Sequence, residues 1–457
     1  MGKTGFVGTE GDEAGEREDA GMFEGVRSRG GRVLFPACAA ALLVCLAWMT
    51  GCTDSGRPAP ARKRVTFLHY FSDTLSGGID DMVKAFNAQQ SSYEVAVTPL
   101  EMEAFKTSIR KTLETGSPPD LYSYWAGARV VSVLDKLQPI DDVWAAGGFD
   151  RLFSPMIIES ACTYQGKKYL LPITQHLVCF FYNRSIFQKL SLKPPATWDE
   201  FLAVCETIKK AGIVPIALGS KAPWPAQFWF DYLLLRTAPF EYRQRLTRGE
   251  AHYTDPEVKR VCELWKQVVT AGYFNADATK IMWDTGANEM VFRGTAAMTL
   301  MGTWIIGSYC GETHKWKGGE DFDYFMFPAI DKGVPPVALG PIDGLVIPKN
   351  ALNAEGAKET IRLLAGAENQ AIMSRGSGAF APNLTVASST YCDLQERIRR
   401  DLQNCRFWAF NYDLAVPPAV ADLGLEAFNE FLEFPELHEE IFRRLEQGAA
   451  ALAGRKR

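Results

Sequence analysis

The sequence has few of the residues that build metal or redox centres. Five histidines are scattered among 457 residues, and ten cysteines include no Cys-x-x-Cys pair, so no zinc-ligand spacing exists. Also absent are the Gly-x-x-x-x-Gly-Lys phosphate loop, the Gly-x-Gly-x-x-Gly dinucleotide turn, the Gly-x-Ser-x-Gly elbow and His-Glu-x-x-His. Their absence removes the local signatures of nucleotide, hydrolase and metalloprotease chemistry. It leaves open an enzyme built on paired carboxylates, which carry no local signature. Basic residues are in deficit: 49 Lys and Arg against 54 Asp and Glu give a net charge of −5. A nucleic-acid binder would concentrate positive charge instead. A single long apolar run and a mean hydropathy of −0.10 exclude a polytopic membrane protein.

What is present describes a folded chain. Composition is 47% hydrophobic and 23% charged, as in globular domains. At this length one core does not suffice, so two or three domains, or two lobes sharing one chain, are expected. Twenty-eight Phe, 15 Tyr and 11 Trp raise the question of which rings face a ligand.

The apolar run, Val33 to Met49, follows Arg27, Arg29 and Arg32, the basic-then-apolar order of an export signal. It ends in Met49-Thr50-Gly51-Cys52, which resembles a lipobox and marks Cys52 as the lipidated first residue of the mature chain. Met49 departs from the usual Leu of that motif. The alternative is an uncleaved anchor, for which the run is short. Residues 1–21 are acidic where a signal should be basic, so translation is expected to start at Met22, with residues 1–51 removed. Residues 52–64, polar and Pro-containing, are expected to be a flexible tether. Cys38, Cys45 and Cys52 belong to the signal. The seven others are odd in number, so at least one thiol stays free. A Cys392–Cys405 bridge is possible and not predicted; most of these cysteines sit among apolar neighbours, as core fillers do.

From Val65 onward strands and helices alternate. Val65–Phe71, Tyr93–Val97 and Leu121–Tyr124 read as strands, with helical spacing in Ile79–Phe86 and Met102–Thr115. This order predicts α/β architecture with largely parallel strands. Thr197-Trp198-Asp199-Glu200 is a capping box opening a helix, with Trp198 on its buried face. Trp265 likewise reads as core.

Three phrases, taken in order, resemble the family 1 extracellular solute-binding proteins, the sugar-binding subunits of bacterial ABC importers. The first runs from Tyr169-Leu-Leu-Pro172 through Tyr182-Asn183-Arg184 and Pro194-Pro195-Ala-Thr197-Trp198 to Lys210-Ala-Gly212. The second is Met290-Val-Phe292-Arg-Gly294 to Gly302-Thr303-Trp304, and the third Phe327-Pro328-Ala-Ile330 with Gly340 to Pro348. The resemblance implies a two-lobe α/β periplasmic-binding-protein fold of type II, with a ligand cleft at a multi-crossing hinge. It places 65–173 and 327–374 in lobe 1, and 174–326 and 375–457 in lobe 2. It also implies a monomer without cofactor or metal, held to the membrane by lipid, delivering a carbohydrate to ABC permease subunits and touching no nucleic acid.

Sugars present apolar faces ringed by hydroxyls, so their sites combine aromatic platforms with planar polar groups, placed beyond the carboxyl ends of strands. Tyr70, Ser72 and Asp73 follow the first strand; Asp73 would accept from a hydroxyl pair or serve as a turn residue. Trp125 follows the third strand and matches a stacking position. Gln175 and His176 lie at the first crossover, although a lone histidine is usually structural. Trp224 sits in a Pro-flanked loop, and Trp304 matches the family's recurrent stacking tryptophan. Asp343 stands in Gly-Pro-Ile-Asp-Gly, a turn or a contact, and Arg375 would donate in pairs or be solvated. Trp144, Trp283, Trp316 and Trp408 remain open. Other readings are the same fold holding a polyol, glycerol phosphate or peptide, a sensor, or a secreted carbohydrate-active enzyme using Asp73 or Asp343.

Overall fold

The computed structural model describes residues 61–71, 76–114 and 116–454. The strands of its two large sheets are, in chain order, β1 (Lys63–His69), β2 (Tyr93–Pro99), β3 (Leu121–Trp125), β4 (Leu137–Gln138), β5 (Leu171–Gln175), β6 (Val178–Asn183), β7 (Val214–Ile216), β8 (Ala296–Gly302), β9 (Phe322–Phe325) and β10 (Ile342–Pro348). The helices around the cleft include α1 (Ser76–Gln89), α2 (Met102–Glu114), α3 (Ala128–Val133), α4 (Trp198–Lys210), α5 (Gln227–Thr237), α6 (Trp304–Cys310), α7 (Ala367–Ser377) and α8 (Asp393–Leu402).

Helix α1 buries Ile79, Met82, Val83 and Phe86, the i, i+3, i+4, i+7 pattern of one apolar face. Its sheet runs β2-β1-β3-β10-β4, with β5 also on β10. The other sheet runs β9-β6-β8-β7. Helix α4 starts as its sequence requires: the Thr197 hydroxyl accepts from the Glu200 N–H, and the Glu200 carboxylate accepts from the Thr197 N–H at 3.1 Å. Trp198 and Trp265 are buried in the second core.

Strand direction departs from expectation. Within the two large sheets, among the described residues, only β1/β2, β1/β3 and β7/β8 are parallel. Strand β10 runs against β3, β4 and β5, and β6 against β8 and β9. The physical reason is that β6 and β10 enter their sheets from the opposite core, not through a helical crossover.

Two hydrophobic clusters accompany the sheets. One is built from Val65 to Ile173 and Ile342 to Met373, the other from Leu177 to Leu339 and Phe380 to Leu445. Three passages of chain lie side by side where they meet. Gln175 and Phe380 exchange backbone hydrogen bonds of 2.9 and 2.8 Å, and the His176 N–H donates to Pro341 O at 3.1 Å. A Cβ at Gly340 would stand 1.7 Å from His176 O, so this close approach requires glycine.

The chain departs from the expected boundaries at three places. Lys63 and Arg64 pair with Tyr93 and Glu94 in the sheet and are not tether. Phe327 and Val337–Leu339 pack in the second core, where Arg236 donates to Phe327 O and Val337 O; the return to the first sheet begins near Ile342. Leu414, late in the chain, packs in the first core. The signal region and Cys52 lie outside the described residues. Among those described, no helix is long and apolar enough to cross a membrane.

Candidate ligand cleft

Register explains how the first core supplies its side of the cleft. Asp343, at the start of β10, lies beside Trp125 at the end of β3 and beside Thr174 in β5. Neighbouring residues in register share one face of a sheet. The antiparallel entry of β10 thus brings its first residues to the carboxyl ends of parallel β1 and β3. Tyr70, just after β1, donates its hydroxyl to Asp343 Oδ1 at 2.7 Å, and Thr174 donates to Oδ2 at 2.6 Å. The Tyr70 and Trp125 rings stack at 3.9 Å and 13°. Trp125 therefore enters the cleft as one of a stacked pair, with Lys106 Nζ 5.9 Å and Arg129 Cζ 6.0 Å from its ring centre.

The second core contributes three indoles. Trp224, Trp283 and Trp304 meet edge to face, with centroids 5.4 Å (224–283), 5.9 Å (224–304) and 6.5 Å (283–304) apart. Trp304 opens α6, and its ring lies back over its own strand. Only a glycine at 302 allows that, because a Cβ there would stand 2.0 Å from Trp304 Cζ3. His176 packs edge-on against Trp304 at 5.3 Å, with its Nδ1 3.0 Å from the Thr303 hydroxyl.

These groups line one cleft whose wall combines Tyr70, Trp125, His176, Trp224, Trp304 and Asp343 from the expected set. Burial dominates its electrostatics. It pushes Asp343 up to about 6, against the pull of its Thr174 and Tyr70 hydrogen bonds, and pushes His176 down to about 3. His176 is thus neutral at pH 7, and its 3.9 Å approach to Asp343 is no ion pair.

Two expected residues lie elsewhere. Gln175 falls between Thr174 and His176, and alternation along an extended chain turns it away. It pairs with Phe380 and borders a different cavity. Arg375 is exposed in the last turn of α7, away from the cleft wall. Ser72 and Asp73 lie outside the described residues. Among the open tryptophans, Trp283 lines the cleft, whereas Trp144 is core and donates to Asp150 at 2.8 Å.

Sequence reasoning passed over Met102, Lys106, Gln227, Asn411 and Asp413, which also line the cleft. Met102 and Lys106 sit four residues apart on α2, one helical face. Asp413 is held by the Gln227 side chain, which accepts from its N–H at 2.8 Å, and by Arg129 at 3.5 Å. The signal for this segment was the run Phe410-Asn-Tyr-Asp-Leu414, a cluster of planar polar and aromatic residues.

The model of the bacterial extracellular solute-binding protein family matches residues 81–394. The chain belongs to that family. It is 27% identical over 361 residues to an uncharacterized ABC transporter extracellular-binding protein of Pyrococcus horikoshii, covering 76% of this chain and 78% of that one. It is 24% identical over 279 residues to a probable sugar-binding periplasmic protein of Mesorhizobium japonicum, covering 60% and 65%. Among solved structures it is similar to the bacterial solute receptor AcbH, which prefers β-D-galactopyranose. The TM-score is 0.80 at 25% identity, covering 86% of this chain and 99% of that one. A chitin oligosaccharide binding protein superposes with TM-score 0.76 at 21% identity, over 84% and 98% of the chains. The fold is that of the type II periplasmic binding proteins, and the family is extracellular.

Proposed function

We propose that the chain captures a sugar or oligosaccharide in the cleft between its two cores and passes it, unaltered, to the permease of an ABC importer. The observation that carries this reading is the facing of two aromatic walls, Tyr70–Trp125 on one core and Trp224–Trp283–Trp304 on the other. Rings grip the apolar faces of a pyranose, while Asp413, Asn411 and Gln227 offer planar groups for its hydroxyls. The names of the relatives favour the same class of ligand. The two cores act as lobes, roughly 65–173 with 342–374 and 174–341 with 375–457, that close on the ligand about the three adjacent passages.

The reading includes no catalysis. Both Asp343 oxygens accept hydroxyl protons from the protein, and Asp413 faces Arg129; an acid–base pair for glycoside hydrolysis needs carboxyls free to reach the glycosidic oxygen and a water or anomeric carbon. The protein works as a monomer on the outer face of the membrane, tethered through lipidated Cys52. The test is a thermal-shift screen over a panel of mono- and oligosaccharides, since a ligand that binds only the folded state raises Tm. A saturable rise with one or a few sugars is expected; no shift with any sugar, and a shift with peptides or polyols, would replace this reading.

A further inference from the structure

Adjacent residues at the end of β5 serve opposite sides of the chain. His176 lines the ligand cleft, whereas Gln175 opens onto a separate crevice, as alternation along an extended chain requires. The Gln175 main chain is fully used, exchanging hydrogen bonds with Phe380 at 2.9 and 2.8 Å. Its side chain is not. Gln175 is only 9% exposed, and among the described residues its side-chain amide has no hydrogen-bond partner. A buried polar group left over by the protein calls for a partner from outside it. Trp408 lines the same crevice, and its indole N–H is also buried without a partner.

Both cores supply the walls. Ile157 belongs to the first core and Ala338 to the second, and Trp408 packs against both. Met156 and Leu384, two of the few large apolar side chains left exposed, line the crevice as well. Exposed apolar surface beside a few convergent polar groups is the make-up of a small-molecule site.

Charge narrows the ligand. No aspartate or glutamate lines the crevice, whereas Arg399 and Arg406 do. Arg399 already donates to Glu396 Oε2 at 3.0 Å and to Ser388 Oγ at 3.1 Å. Arg406 is exposed, its Cζ 5.2 Å from the Phe407 ring centre, and it has no ion-pair partner among the described residues. Its guanidinium is therefore free to hold a carboxylate through two parallel N–H groups.

We infer that this crevice is a second ligand site, separate from the sugar cleft, for a small organic carboxylate with an aromatic or alkyl body. Arg406 holds the carboxylate, the Gln175 amide takes up a hydrogen bond, and the body lies among Met156, Leu384 and Trp408. A molecule held there touches both cores beside the chain passages that join them. The inference is independent of what the cleft binds.

The test titrates the full chain by calorimetry with 3-phenylpropionate, indole-3-acetate and octanoate, each repeated with its uncharged amide. At least one of the carboxylates should bind one to one with a dissociation constant in or below the millimolar range, the reach of a ligand of about a dozen heavy atoms. Arg406→Ala removes an exposed side chain and should leave Tm unchanged while weakening that carboxylate by roughly tenfold or more. The near-isosteric Gln175→Glu sets a like charge in the crevice and should weaken it as well. Trp304→Ala, in the sugar cleft, should leave it unchanged, and the matching amide should bind more weakly than the acid. Saturation by none of the three carboxylates, undiminished binding in Arg406→Ala, or equal binding of acid and amide overturns the inference. So does a loss confined to Trp304→Ala, which would put the carboxylates in the sugar cleft.

Discussion

Tyr70 and Asp343 are 273 residues apart in sequence and joined by a 2.7 Å hydrogen bond at the floor of the cleft. The bond links the end of the first strand to the start of the last strand of one sheet, with the Trp125 ring stacked on Tyr70. The aromatic wall of the first core is therefore fixed by a buried carboxylate whose two oxygens are already occupied.

That carboxylate gives a pH dependence of known sign. Its folded pKa of about 6 lies above the ordinary 3.8, so the folded state holds the proton more tightly than the unfolded chain. The contribution is fully present below about pH 4 and is lost as pH rises through 6. Buried His176, down at about 3, acts oppositely: its stability is lost as pH falls from 6.5 towards 3. The Asp343→Asn variant isolates the first effect. The stability of the native chain relative to this variant should decline by up to roughly 3 kcal/mol between pH 4 and 7, read as a difference in urea midpoints. A difference independent of pH would mean that Asp343 titrates normally.

Trp304→Ala removes one face of the three-indole corner. Sugar affinity should fall by about 1–3 kcal/mol, a stacked ring's usual share, with far-UV circular dichroism unchanged. Calorimetric titration decides it; unaltered affinity takes Trp304 out of the site.

Arg243 and Asp231 form a buried pair, Nε and Nη2 both donating to Asp231 Oδ1 at 3.0 and 2.7 Å. Asp231 also accepts from the Tyr412 N–H at 2.7 Å, and Arg243 donates to Phe410 O at 2.5 Å. The pair thus anchors the segment that carries Asn411 and Asp413 into the cleft. Arg243→Met leaves Asp231 buried without its partner and should cost about 3–5 kcal/mol of stability in chemical denaturation.

Cys52→Ser should move the protein from the membrane fraction to the soluble fraction. Retention in the membrane fraction would restore the uncleaved-anchor reading of the apolar run.

Much of the fold was legible because it is local. The capping box at Thr197 and Glu200, the apolar face of α1 and the core tryptophans 198 and 265 follow from spacing alone. Strand direction was not legible, since nothing in β10 itself says that it arrives from the other core. The same limit governs the site. Trp224, Trp304 and Asp343 were visible as residues in turns after or before strands, while Gln175 was misplaced because one step along an extended chain changes its face. Asn411 and Asp413 reach the cleft only through the buried Arg243–Asp231 pair and the Gln227 contact, which no local pattern announces.

The most direct measurement of the central claim is calorimetric titration of the purified chain with the sugar that raises its Tm, followed by chromatography of the recovered sugar. The account predicts one mole bound per mole of chain, loss of most of that affinity on changing both Trp224 and Trp304 to Ala, and sugar recovered intact. Undiminished binding in the double variant, or recovery of a cleaved product, would contradict it.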